Sequence, residues 1–155
     1  MEVADGNHEA DGNESRRVCL DSWAVLRWLE GTQPVADLVD AVLNPTPGAP
    51  TPGAPTARPV MSWMNLGEVV YITTRSDGAG FAGAVADDLR RLVQLDELRP
   101  ARVLGAAAIK AEYPMAFADA FAVATALAHD AVLWTGDPEI LDQPGEWRTL
   151  DLSGI

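Results

Sequence analysis

Short apolar runs alternate along the chain with longer segments in which apolar residues recur every three or four positions. Val18-Cys19-Leu20 and Val60-Met61-Ser62 read as buried strands, and Val93-Gln94-Leu95, Ala131–Trp134 and Trp147–Leu150 as further short ones. Helical spacing predicts Trp23–Glu30, ended by Gly31, then Val35–Leu43, opened by Pro34. It also predicts Asn65–Arg75, Phe81–Leu92, Arg102–Glu112 and Ala116–His129. In Phe81–Leu92 the expected inward face is Phe81, Val85, Leu89 and Leu92. Strands alternating with helices imply an α/β fold, with a mostly parallel central sheet of four to five strands flanked by helices on both faces.

Two segments break the pattern. Residues 1–17 carry five acids and two arginines with almost nothing to bury, and read as a disordered acidic tail. Residues 44–59 hold six of the 11 prolines and a direct repeat of Thr-Pro-Gly-Ala-Pro. Proline lacks an amide donor, so this stretch reads as a solvated loop inserted into one domain spanning 18–152.

The strand ends carry the chemistry. Asp21 directly follows the first strand, and Asp137 follows Ala131–Trp134 through Thr135-Gly136. In a parallel sheet the C-terminal strand ends share one edge, where ligands bind. Glu68, near the start of the helix after Val60–Ser62, belongs to the same edge. Asp119 lies in Ala116–Ala128, whose only other polar residue is Thr125. A helix apolar all round is buried, and a lone buried carboxylate is costly unless neutralised or paired. The chain's only lysine is Lys110. The helix must run antiparallel to the strand that follows almost at once, so Asp119 returns towards Asp137. Four acids thus converge, and an all-oxygen donor set selects Mg²⁺ or Mn²⁺. Such a centre suits phosphodiester cleavage by a metal-activated water.

Each residue also has a purely structural reading. Asp21 is placed to cap a helix, Glu68 is an acid favoured near a helix start, and Asp137 suits a turn. Ser22 reads as a cap rather than a nucleophile, Cys19 as a small core residue, and Glu139 and Asp142 as solvated. Trp23, Trp28, Phe117 and Phe121 read as core aromatics.

Four motifs in order resemble the PIN-domain ribonucleases, and specifically the VapC-type toxins of bacterial toxin–antitoxin pairs. They are Val18-Cys19-Leu20-Asp21-Ser22, Asn65-Leu66-Gly67-Glu68-Val69, Tyr113-Pro114-Met115-Ala116-Phe117-Ala118-Asp119-Ala120-Phe121 and Thr135-Gly136-Asp137-Pro138-Glu139, within residues 18–152. The resemblance implies that Asp21, Glu68, Asp119 and Asp137 hold Mg²⁺ or Mn²⁺, with Ser22 and Thr135 orienting ligands or waters. It further implies an RNA substrate, a homodimer and a cognate antitoxin. The long Pro-rich stretch and the acidic tail depart from the family pattern.

Composition limits the alternatives. The chain has 155 residues, 23 Asp+Glu against 11 Lys+Arg, and a net charge of −12. That excludes a loose, charge-driven RNA binder but allows a metal-gated nuclease and favours a basic protein partner. Residues 75–110 carry six basic side chains against five acids and are the candidate guide for RNA phosphates. One cysteine and two histidines exclude a disulfide within the chain and a Cys- or His-rich metal site. No apolar run is long enough for a membrane span and no secretory signal is evident, so a cytoplasmic location is expected. Two rivals remain. A haloacid-dehalogenase-type phosphohydrolase would need a second Asp where the chain has Trp23, and a receiver would need a late Lys that is absent. A non-catalytic binding protein on the same scaffold would not need all four acids.

Overall fold

The computed structural model describes residues 17–48 and 57–155. Most of the proline repeat, and all of the acidic tail except Arg17, lie outside the described residues. The elements run β1 (Val18–Leu20), α1 (Ser22–Leu29), α2 (Val35–Leu43), β2 (Val60–Ser62), α3 (Trp63–Asp77) and α4 (Ala79–Leu92). They continue with β3 (Gln94–Asp96), α5 (Pro100–Glu112), α6 (Phe117–Ala128), β4 (Val132–Thr135), α7 (Pro138–Leu141) and β5 (Thr149–Asp151). The five strands form one sheet in the order β3-β2-β1-β4-β5, and every pairing is parallel.

The two-residue period of a strand sorts the core into two layers. Val18, Leu20 and Met61 face the cluster built by Val25, Val39, Leu66 and Leu89 from α1 to α4. Cys19, Val60 and Leu133 face the other way, against Ala106 of α5 and Phe121 and Val123 of α6. Cys19 is fully buried, and burial drives its thiol pKa far up, so it packs as a small apolar residue. Among the described residues no helix is long and apolar enough to cross a membrane.

The differences from expectation are local. In α4 the buried residues are Ala82, Val85 and Leu89, and Phe81 is exposed. Adjacent helical positions are ~100° apart, so taking Phe81 rather than Ala82 as the start turns the stripe off the core. The last strand is Thr149–Asp151 rather than Trp147–Leu150. Trp147 instead stands edge-on to Tyr113, with ring centroids 5.0 Å apart. The third strand is displaced by one residue, which makes Asp96 its end.

Asp96 explains why Arg17 is part of the fold rather than the tail. Arg102 donates to both Asp96 oxygens, at 2.7 and 3.3 Å, and His129 Nε2 lies 2.8 Å from one of them. Arg17 lies 3.0 Å from His129 Nδ1 and also donates to Gln94. Arginine can only donate, so Nδ1 accepts and Nε2 carries the proton given to Asp96. Burial alone would raise the Asp96 pKa, but the bonds from Arg102 and His129 outweigh it and leave it lowered. This network ties the start of β1, the edge strand β3 and the end of α6.

Thr125 is fully buried in α6, and its hydroxyl has no hydrogen-bond partner among the described residues. An unsatisfied buried hydroxyl costs about 1–3 kcal/mol. Thr125→Val keeps the shape and removes the orphan, so thermal denaturation should show a rise of about 2–4 °C for each 1 kcal/mol regained. A lower melting temperature would contradict this reading.

Candidate active site

Each of the four acids is placed by a local reason. Asp21 ends β1 and caps α1, its Oδ1 accepting the Ala24 N–H at 2.9 Å. Asp137 follows β4 and caps α7, accepting the Glu139 N–H at 2.9 Å. The capping role expected of Asp21 is therefore real, Asp137 caps a short helix where a turn was expected, and each cap occupies only one carboxylate oxygen. Asp119 is the third residue of α6, in the first turn, where the helix dipole favours negative charge. Glu68 is the sixth residue of α3, two positions further in than expected, because the helix starts at Trp63. Asp21 and Asp119 are buried, while Glu68 and Asp137 are half-buried.

The parallel sheet brings these segments to one edge, and the acids sense one another. Burial raises the Asp21 pKa to about 7; bonds from Thr135 and Ala24 oppose the rise, and the charges of Asp137 and Glu68 add to it. Asp119 is raised to about 8, first by burial, then by Asp137, by a hydrogen bond with Glu139, and by Glu68 and Asp21. Yet among the described residues no three His, Cys, Asp or Glu side chains are gathered closely enough to enclose an ion. The site is electrostatically coupled and geometrically open, as mutual repulsion between carboxylates dictates.

The two auxiliary residues differ in reach. Thr135 is fully buried, donates its hydroxyl to Asp21 Oδ2 and accepts the Asp137 N–H at 3.0 Å. It links two of the acids directly. Ser22 does not touch an acid; its hydroxyl donates to the Asn65 carbonyl at 3.3 Å and accepts from the Asn65 amide at 3.1 Å.

Three further residues belong to the region. Glu139, expected to be solvated, accepts the Ala116 N–H at 2.9 Å and so holds the start of α6 beside Asp119. Trp23 lies against the turn before Asp137: a Cβ on Gly136 would sit 2.4 Å from its ring. Arg27 stacks over Trp23 with its guanidinium carbon 5.1 Å from the centroid. Only glycine fits that turn, and the Thr-Gly-Asp spelling is the sequence signal for it. Phe117, expected in the core, is exposed at the start of α6, whereas Phe121 is buried.

This arrangement coincides with a family match. The PIN domain model matches residues 18–145. The chain belongs to the PIN domain family. No curated protein matches the sequence. Solved structures share the PIN architecture at low identity. The DNA-bound VapBC complex of Salmonella typhimurium aligns with a TM-score of 0.65 and 15% identity, covering 88% of this chain and 98% of that one. VapBC-1 of nontypeable Haemophilus influenzae gives 0.63 and 18%, covering 88% and 98%. VapC20 of Mycobacterium tuberculosis, a toxin that cleaves the sarcin–ricin loop, gives 0.62 and 14%, covering 81% and 93%. At these identities the likeness is one of fold.

The raised pKa values have a definite sign. An unfolded aspartate titrates near ~3.9, so the native PIN domain retains protons on Asp21 and Asp119 that the unfolded chain releases. Their contribution to stability is fully present below ~4 and is lost as pH rises through about 7 and about 8. In metal-free buffer Asp119→Asn should therefore melt higher than wild type at pH 8, with the gap shrinking towards pH 5. A variant that is less stable at pH 8 than at pH 5, relative to wild type, would contradict the assignment.

Proposed function

We propose that the chain is a Mg²⁺- or Mn²⁺-dependent endoribonuclease of the VapC toxin type, restrained by a cognate antitoxin. The observation that carries this reading is Asp119: a buried acid at the start of an apolar helix, its pKa raised by that burial and by the carboxyl groups of Asp137, Glu139, Glu68 and Asp21. An all-carboxylate set fits a hard divalent cation, which relieves the repulsion that protons otherwise relieve. Asp21, Asp119, Asp137 and Glu68 would hold it. When bound, the ion supplies the Lewis acidity that makes a water nucleophilic near neutral pH and steadies a leaving oxygen.

The chain's own residues prepare that site. Thr135 aims Asp21 and seats Asp137 through one hydroxyl. Glu139 fixes the first turn of α6, and with it Asp119. Glu68 and Asp137 lie half-buried on the rim, where a cation would draw on them. Without a cation the site offers phosphate only carboxyl groups and no positive charge, so RNA binding should depend on metal loading. Folds like those of the VapBC complexes support an antitoxin as partner, and an acidic site suits a basic side chain presented by it. A homodimer in the cytoplasm belongs to the same proposal.

One observation favours a non-catalytic scaffold instead: the open spacing of the acids among the described residues. A single assay separates the two. Purified protein should cleave RNA with Mg²⁺ or Mn²⁺ and not with chelator. Asp119→Asn should lose more than about 100-fold, since even indirect partners of a metal site cost about 10–100-fold. Equal cleavage by the variant would refute the proposed site, and no cleavage by wild type on any RNA would favour the scaffold.

A further inference from the structure

The four acids sit on four separate elements, so something must hold those elements in register beneath them. One buried side chain does so for three of the four. Asn65 is the third residue of α3 and is 1% exposed. Its amide nitrogen donates to the Ser22 hydroxyl at 3.1 Å and to the Ala118 carbonyl at 3.1 Å. The Ser22 hydroxyl donates back to the Asn65 carbonyl at 3.3 Å, closing a ring. Ser22 is adjacent to Asp21, and Ala118 is adjacent to Asp119. Glu68 lies three residues beyond Asn65 on α3, which places it on the same helix face.

The orientation of the amide follows from chemistry. The Ala118 carbonyl can only accept, so the nitrogen of Asn65 must face it. The other end, Oδ1, is buried with no donor among the described residues. All the side chain's hydrogen bonding is therefore committed to the two links between α3, α1 and α6. Burying an amide with one end unsatisfied costs free energy that offsets much of what its two bonds contribute, and a leucine of similar size would remove the orphan together with both links. Stability alone gives no reason for asparagine here; register does.

We infer that Asn65 is a positioning residue of the acid site, holding Asp21 and Asp119 in fixed relation to each other and to Glu68. The inference rests on the proposed metal-dependent function. Asn65 touches no reacting group itself. It acts through the backbone on either side of the acids, as an outer partner of a metal site acts on its ligands.

The test is Mn²⁺ titration calorimetry on the whole protein, with melting temperature measured alongside, for wild type, Asn65→Leu, Ser22→Ala and Asp119→Asn. Asn65→Leu should fold with a melting temperature close to wild type, yet bind Mn²⁺ about tenfold more weakly. Its RNA cleavage should recover towards the wild-type rate as Mn²⁺ is raised, which a merely structural role would not produce. Ser22→Ala breaks one side of the ring and should show a smaller loss of the same kind. Unchanged Mn²⁺ affinity in Asn65→Leu, beside a clear loss in Asp119→Asn, would overturn the inference while leaving the metal site standing. Should Asn65→Leu fail to fold, unchanged affinity in Ser22→Ala overturns it equally. If Asp119→Asn binds Mn²⁺ like wild type, the functional reading fails, and the role of Asn65 with it.

Discussion

Carboxylates taken out of water near one another must share protons or share a cation, and the structure at this sheet edge is organised around that requirement. Asp21 and Asp119 are buried, and Asp137 and Glu68 add their charge from the rim. No arginine or lysine bonds to any of the four among the described residues, whose ion pairs lie elsewhere. The contrast with Asp96 is instructive. That carboxylate is also largely buried, but Arg102 and His129 bond it and its pKa is lowered. The same chain therefore satisfies one buried acid with an arginine and a histidine N–H and leaves another group of acids without an arginine or lysine. Burial without a cationic partner is the pattern on which the proposed cation site rests.

The fold makes this placement unavoidable. An all-parallel sheet puts Asp21 and Asp137 at the same ends of neighbouring strands β1 and β4. The short turn between α6 and β4 sends α6 back antiparallel, so Asp119 returns to that edge. α3 starts immediately after β2, and Glu68 follows. Buried polar ties, Thr135 on one side and Asn65 on the other, then bond to the acids or to the residues beside them.

Much of this was legible in the sequence because it depends on local pattern. Short apolar runs mark strands, and a run as apolar as Ala116–Ala128 makes Asp119 conspicuous by itself. The order of strands and helices then carries the acids to one edge without any distance being known. What was not legible depends on contacts between distant segments. Glu139 is exposed, as expected, but its bond to the start of α6, 23 positions back, leaves no mark in the sequence. Asn65 looks like a neutral residue of a motif until Ser22 and Ala118 meet it, 43 and 53 positions away. Phe81 and Phe117 misled because an aromatic at a helix start carries no local signal of which side the core lies on. Arg17 was counted with the acidic tail because composition cannot reveal a partner such as His129, 112 residues later.

The central claim is that the four acids, though open as they stand, form one cation site. It is tested most directly by a crystal structure of the protein with Mn²⁺, read from the anomalous signal of the metal. The account predicts a peak within coordinating distance of Asp21 and Asp119, with Glu68 and Asp137 turned towards it or towards waters around it. Mn²⁺ bound only elsewhere, with Asp21 and Asp119 still apart, would contradict it.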